Sequence, residues 1–193
     1  MKSVCSPCLK WARVIVPIMA FSVAVIPGEA KPYDRIIRDT TLVGPGLGAE
    51  GILLNEDIEA VLKRFGRTRF KLSKPRHPEE LFANVFKINS RKKIYFEAMF
   101  YNEENKFSAC VFHNKVIAII GFDHNRVTTD SVNLRSGINS FVYYYGNRNL
   151  KVLKADSNGL YLYPELGIGV VDDGMNDSID LYVVFAVEKT DGQ

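Results

Sequence analysis

Asn55-Glu-Asp-Ile-Glu-Ala-Val-Leu-Lys-Arg-Phe-Gly66 sets the period on which the rest of the chain can be read. Ile58, Val61, Leu62 and Phe65 stand at i, i+3, i+4 and i+7, one face of an α-helix. Asn55 is placed to cap that helix, Glu56 and Asp57 complement the positive end of its dipole, and Gly66 supplies a left-handed stop. Later in the chain Ile138, Phe141, Val142 and Tyr145 repeat the spacing, and Gly146 stands where Gly66 stood. Leu54 then corresponds to Leu134, and Lys71 to Lys151. Only four of 21 positions are identical between Gly51–Lys71 and Ser131–Lys151, so the shared apolar face and stop glycine carry the repeat.

The segments after the two helices are also alike. After the first, Lys93 to Tyr101, Lys106 to Phe112 and Lys115 to Phe122 are rich in β-formers and are parted by turn-forming residues. After the second come Gly159 to Tyr163, Leu166 to Val171 and Ile179 to Val187. Short links predict antiparallel meanders. The expected fold class is therefore α+β, with two related units, each a short helix followed by a three- to four-stranded antiparallel meander that buries one sheet face with the helix stripe. The expected divisions are a signal peptide over 1–30, a lead-in over 31–50, repeat one over 51–122, a linker over 123–130 and repeat two over 131–193. Repeat one carries an insertion, Leu72 to Lys92, in which Pro78 is expected to open a further helix running through Phe86.

The first thirty residues have the layout of an export signal. Lys2, Lys10 and Arg13 precede the uncharged run Val14 to Ile26, and small residues precede a cleavage point after Ala30. Thirteen helical residues span about 20 Å, short of the roughly 30 Å hydrocarbon core, so no stable membrane span is expected once the signal is removed. Cys5 and Cys8 lie upstream of that run, leaving Cys110 in a strand-like setting as a buried, inert thiol. The mature chain then holds 22 basic and 21 acidic residues, a balance that argues against a nucleic-acid partner. A periplasmic or secreted, soluble protein is the expectation.

Several patterns invite a chemical reading. Gly46-Leu-Gly-Ala-Glu-Gly51 matches a dinucleotide fingerprint in letters, but no helix opens at its third glycine, and it reads as a glycine-rich lead-in to a turn. His77, His113 and His124 form no metal-spaced pair; His113 would have to meet Asp123 and His124 across a hairpin to hold an ion. Asp172 to Asp177, with Asp180 beyond, gathers oxygen ligands without EF-hand spacing and reads as a solvated hairpin turn. No catalytic, cofactor-binding or metal-binding residues are assigned, and no cofactor is implied. Lys63 to Arg76 is different: it holds seven basic residues and no acid, while Ala155 to Asp180 holds six acids and no base. Arg67, Arg69, Lys71 and Lys74 are the candidate partner-binding residues, able to steer an acidic protein surface. The alternative is that the two segments pair with each other.

The phrase Gly51-Ile-Leu-Leu, Ile58, Val61-Leu62, Phe65-Gly66, with the later Tyr161-Leu-Tyr-Pro-Glu-Leu-Gly-Ile168 and a terminal hydrophobic strand, resembles small exported outer-membrane proteins of the BamE/SmpA type. The tandem arrangement is similar to that of the β-lactamase-inhibitor protein. The chain departs from the outer-membrane type in lacking a cysteine placed for lipidation. The resemblance implies binding rather than catalysis: a non-enzymatic protein-binding module of the bacterial periplasm or cell envelope, whose partner is an envelope or secreted protein. An inhibitor of a secreted enzyme is the next reading, and an envelope hydrolase or metal-dependent enzyme is the alternative from another class.

Overall fold

Strands with apolar residues on both faces need cover on both, and the two longest β-runs here, 107–112 and 115–121, are buried almost throughout. The computed structural model describes residues 31–123, 125–155, 158–172 and 179–187. The segment read as an export signal, 1–30, lies outside them.

In chain order the elements are α1 (Pro32–Arg38), β1 (Leu42–Gly44), β2 (Gly48–Ala49), β3 (Ile52–Leu53), α2 (Ile58–Phe65), β4 (Phe70–Ser73), β5 (Glu79–Glu80), α3 (Leu81–Asn84), β6 (Tyr95–Phe96), β7 (Ala98–Asn102), β8 (Phe107–Phe112), β9 (Lys115–Gly121), β10 (Val127–Thr128), α4 (Gly137–Tyr145), β11 (Lys151–Ala155), β12 (Asn158–Tyr163), β13 (Ile168–Asp172) and β14 (Leu181–Phe185). The fold is α+β. Eight strands make one antiparallel sheet in the order β11-β12-β13-β14-β9-β8-β7-β4. Two meanders thus run outward from a central pair, β9 against β14, in which Ile119 faces Val184 and Gly121 faces Tyr182.

One face of the sheet carries α2 and α4. Ile58, Val61 and Leu62 are buried on the first helix, Ile138 and Phe141 on the second, as their spacing predicts. They share a core with Phe107, Ala109, Ile119, Ile168, Val170 and Val184. Each such side chain contributes about 1.5–3 kcal/mol by leaving water. Phe65 meets Phe107 edge-on at 6.0 Å and Phe141 meets Tyr163 at 5.7 Å. Over the central strands lies a small sheet, β10-β1-β2-β3, whose β2 sits against β9 and β14, with α1 packed on its outside.

The opposite face is covered by the insertion and the residues that follow it through Phe96. Leu81, Phe82, Ile94 and Phe96 pack with Cys110, Ala118, Ile120, Val183 and Phe185, and Phe82 meets Phe185 at 5.7 Å. Among the described residues no helix is long and apolar enough to cross a membrane.

Two local expectations are corrected by the structure. Asp57, not Asn55, caps α2, accepting from the Glu59 N–H at 2.9 Å; Asn55 is held at φ 65° and donates its N–H to Val116 at 2.7 Å. The insertion helix does not open at Pro78, because Glu79–Glu80 pair with Tyr95–Phe96 and the helix begins only at Leu81. Glu80 caps it, accepting from Ala83 N–H at 2.8 Å. The basic run contains the strand β4, and β10 (Val127–Thr128) pairs parallel to β1.

Candidate partner-binding surfaces and the buried ionic cluster

The basic segment lies along one end of the large sheet. Arg67 to Arg69 form a short 3₁₀ turn after Gly66, Lys71 lies within β4, and Lys74 is exposed just beyond it. Arg67 pairs with Glu59, Lys71 with Glu103, and Arg69 with Glu104 at 2.8 Å. These pairs are more than half exposed, so each stabilises the fold by less than about 1 kcal/mol and can exchange partners. Their acids belong to α2 and the β7–β8 turn, not to the acidic stretch, of which 173–178 lies outside the described residues. The structure brings Arg67, Arg69 and Lys71 to a single sheet edge. Among the described residues no strand pairs with the outer side of β4.

The glycine-rich stretch builds a hairpin. Ala49 pairs with Ile52 across the two-residue turn Glu50-Gly51, both with positive φ (56° and 73°), as a type I′ turn requires. Asn is the usual first residue of such a turn, so a glutamate must be held there by its side chain. It is. Glu50 is 2% exposed, and Arg126 grips it bidentately, Nε to Oε1 at 2.8 Å and Nη2 to Oε2 at 3.0 Å. The Tyr182 hydroxyl donates to the same carboxylate, and Asp123 accepts from Arg126 Nη1 at 2.9 Å. The cluster bolts the small sheet, with Asp123 and Arg126, onto β14. The hydrogen bond from Arg126 to Glu50 lifts the guanidinium pKa above its usual value. Burial, then the Glu50 charge, raises the Tyr182 phenol well above 10.

No family model, curated protein or solved structure matches this chain.

The remaining candidates fall apart or fall outside. His113 lies 3.7 Å from Glu97 and far in sequence from His77, which is exposed, while His124 lies outside the described residues. Among the described residues no three His, Cys, Asp or Glu side chains converge. Cys110 is fully buried, and burial pushes its thiol up to about 12.

A further surface escapes the sequence-based reading. Ser136 to Asn147 contains no charged residue, a signal present in the sequence but overshadowed by the inward apolar spacing of the same stretch. The outward stripe of α4 is Asn139, Ser140, Tyr143 and Tyr144, with Tyr143 90% and Tyr144 55% exposed. By contrast the outer side of α2 carries Glu59, Lys63 and Arg64, with Arg64 paired to Glu56 at 2.6 Å.

Proposed function

We propose that this chain is an exported, non-enzymatic protein-binding module of the bacterial periplasm or cell envelope, made of two related helix-plus-meander units and similar in plan to the β-lactamase-inhibitor protein. The observation that carries the reading is the order of elements: α2 leads into β4, β7, β8 and β9, α4 leads into β11, β12, β13 and β14, and the two runs meet last strand to last strand. Registers support it. The pair Asn102↔Phe107 of β7–β8 and the pair Tyr163↔Ile168 of β12–β13 are separated by one constant shift of 61 positions. The insertion accounts for the difference between that shift and the longer one relating Gly66 to Gly146.

The binding surface in this reading is the β4 edge. An unpaired strand edge offers main-chain donors and acceptors, and Arg69, Lys71 and Lys74 add positive charge that favours an acidic partner strand. The test is capture of partners from an envelope extract by the protein and by the triple variant Arg67→Glu, Arg69→Glu, Lys74→Glu. Capture should weaken as salt shortens the Debye length from about 10 Å at 0.1 M to 3 Å at 1 M, and should be lost in the variant. The melting temperature should stay almost unchanged, since the pairs broken are exposed. Undiminished capture by the variant sinks this surface.

A further inference from the structure

The outer face of α4 forms one wall of an open groove of about 550 Å³, whose other wall is the segment Ser131 to Ser136. That size falls within the usual range of ligand sites. Its lining holds three serines, two asparagines, two tyrosines and Val132, with no Asp, Glu, Lys or Arg. Ser136 occupies the N-cap position of α4 but makes no capping hydrogen bond with its side chain. A serine there without that bond leaves the first turn's N–H groups without their usual side-chain acceptor.

Of the other polar groups, Asn133 Oδ1 accepts from the Arg135 N–H at 2.9 Å, and four more are left without a partner. Among the described residues, the side chains of Ser131, Asn139, Ser140 and Tyr143 have no intramolecular hydrogen-bond partner, so their donors and acceptors all point to solvent or to an occupant. Tyr144 is braced instead: its ring stands edge-on against Tyr145 at 5.1 Å, and the Tyr145 hydroxyl donates to Asp130 at 3.1 Å. The groove thus offers one held ring, one nearly bare ring and a row of neutral groups.

That combination selects its occupant by charge and by hydrogen-bonding capacity. A charged ligand would shed water and find no counter-charge in the lining. A purely apolar one would cover hydroxyls and amides without replacing their bonds to water. What fits is neutral, carries many groups that both donate and accept, and has an apolar face to lay on a ring. We infer that this groove binds a neutral oligosaccharide, with a sugar ring stacked on Tyr143 and its hydroxyls bonded to Ser140, Asn139 and Ser136. The nine residues of α4 extend about 13 Å at 1.5 Å each, which favours a short chain of sugars over a single ring. This site is separate from the β4 edge and does not depend on the protein-binding reading.

The test is a nitrogen–proton correlation NMR titration of the full chain with four uncharged probes: maltotriose, cellotriose, chitotriose and mannotriose. Saturable shifts at Asn139, Ser140, Tyr143 and Tyr144 with at least one probe are expected, unaffected by raising salt to 1 M. Tyr143→Ala should weaken that binding at least tenfold while leaving the melting temperature unchanged, because the ring is 90% exposed. Lys63→Ala, on the outer side of α2, should leave it unchanged. Absence of saturable shifts with all four trisaccharides overturns the inference. So does equal binding by Tyr143→Ala, or saturable shifts at these residues with the neutral peptide Gly-Ser-Asn-Gly and none with the sugars, which would reassign the groove to a polypeptide.

Discussion

Replacing Glu50 by asparagine sets two local effects against each other and lets their magnitudes decide. On the backbone, the change is favourable. Glu50 sits at φ 56°, a left-handed conformation that costs an ordinary residue about 1–2 kcal/mol, and asparagine tolerates it better. On the side chain, the change removes the carboxylate that holds both Arg126 and Tyr182 in a site where Glu50 is 1% and Arg126 12% exposed by side chain. Removing one partner of a buried pair costs about 3–5 kcal/mol because the other charge stays buried. Asp123 retains one bond to Arg126 at 2.9 Å, which places the loss at the lower end. The net expectation is destabilisation by about 1–2 kcal/mol, a fall of roughly 2–8 °C in melting temperature for a chain of this size. Thermal unfolding followed by circular dichroism measures it. A double-mutant cycle with Arg126→Met checks the cause: the two changes should couple by about 1–3 kcal/mol. A Glu50→Asn variant as stable as the parent, or additive with Arg126→Met, would refute the account of why a glutamate stands in that turn.

Three further outcomes are expected from the packing. A Cβ at Gly121 would lie 2.2 Å from the Tyr182 ring, whereas one at Gly146 meets nothing within 4 Å; Gly121→Ala should therefore cost about 1–3 kcal/mol and displace Tyr182 from Glu50, and Gly146→Ala only about 1 kcal/mol of backbone strain, measured by denaturant titration. Ile58→Ala and Ile138→Ala should each cost about 2–5 kcal/mol, both side chains being at most 5% exposed, and a near-silent result at either site would mean that its helix does not pack as described. Burial raises the phenols of Tyr182, Tyr145 and Tyr163, so the unfolded chain ionises them first: their stabilising contribution is complete below pH 10 and is lost as pH rises through the higher folded values. Three of the nine phenolates should then appear in the absorbance only as the circular dichroism of the fold collapses, and the full phenolate absorbance at a pH where the fold persists would contradict it.

What the sequence disclosed was whatever one face of one element could disclose. The helical spacing of Ile58 to Phe65 and of Ile138 to Tyr145 is a property of neighbours in the chain, and both helices stand where that spacing puts them. The inner strands β8, β9, β13 and β14 are apolar on both faces and announce themselves as β-runs. Edge strands do not. In β4 only Phe70 turns into the core, Leu72 is 51% exposed and Lys71 reaches Glu103, so four residues of real strand look like part of a charge run. Long-range pairing overrode local grammar in the insertion, where Glu79–Glu80 join Tyr95–Phe96 ahead of the helix that Pro78 would otherwise open. The Glu50–Arg126–Tyr182 cluster joins residues 76 and 132 positions apart, and the one local hint of it was a glutamate in a turn that prefers asparagine.

The two helices differ where their packing leaves them free. Their inward faces answer to the same requirement, four apolar groups on one stripe over an antiparallel sheet, and that requirement does not constrain the outward residues. On α2 the freedom has gone to Glu59, Lys63 and Arg64, a stripe laced by ion pairs to Arg67 and Glu56 that water already satisfies. On α4 it has gone to Asn139, Ser140, Tyr143 and Tyr144, whose polar groups line the groove rather than bond within the protein. A helix whose only task was to cover the sheet would gain solubility and a few tenths of a kcal/mol from charged pairs on its outer face. The forgone cap at Ser136 and the bare ring of Tyr143 are costs of the same kind. Costs that recur on one face, and are avoided on the matching face of α2, point to selection for what lies outside the fold, not for the fold itself.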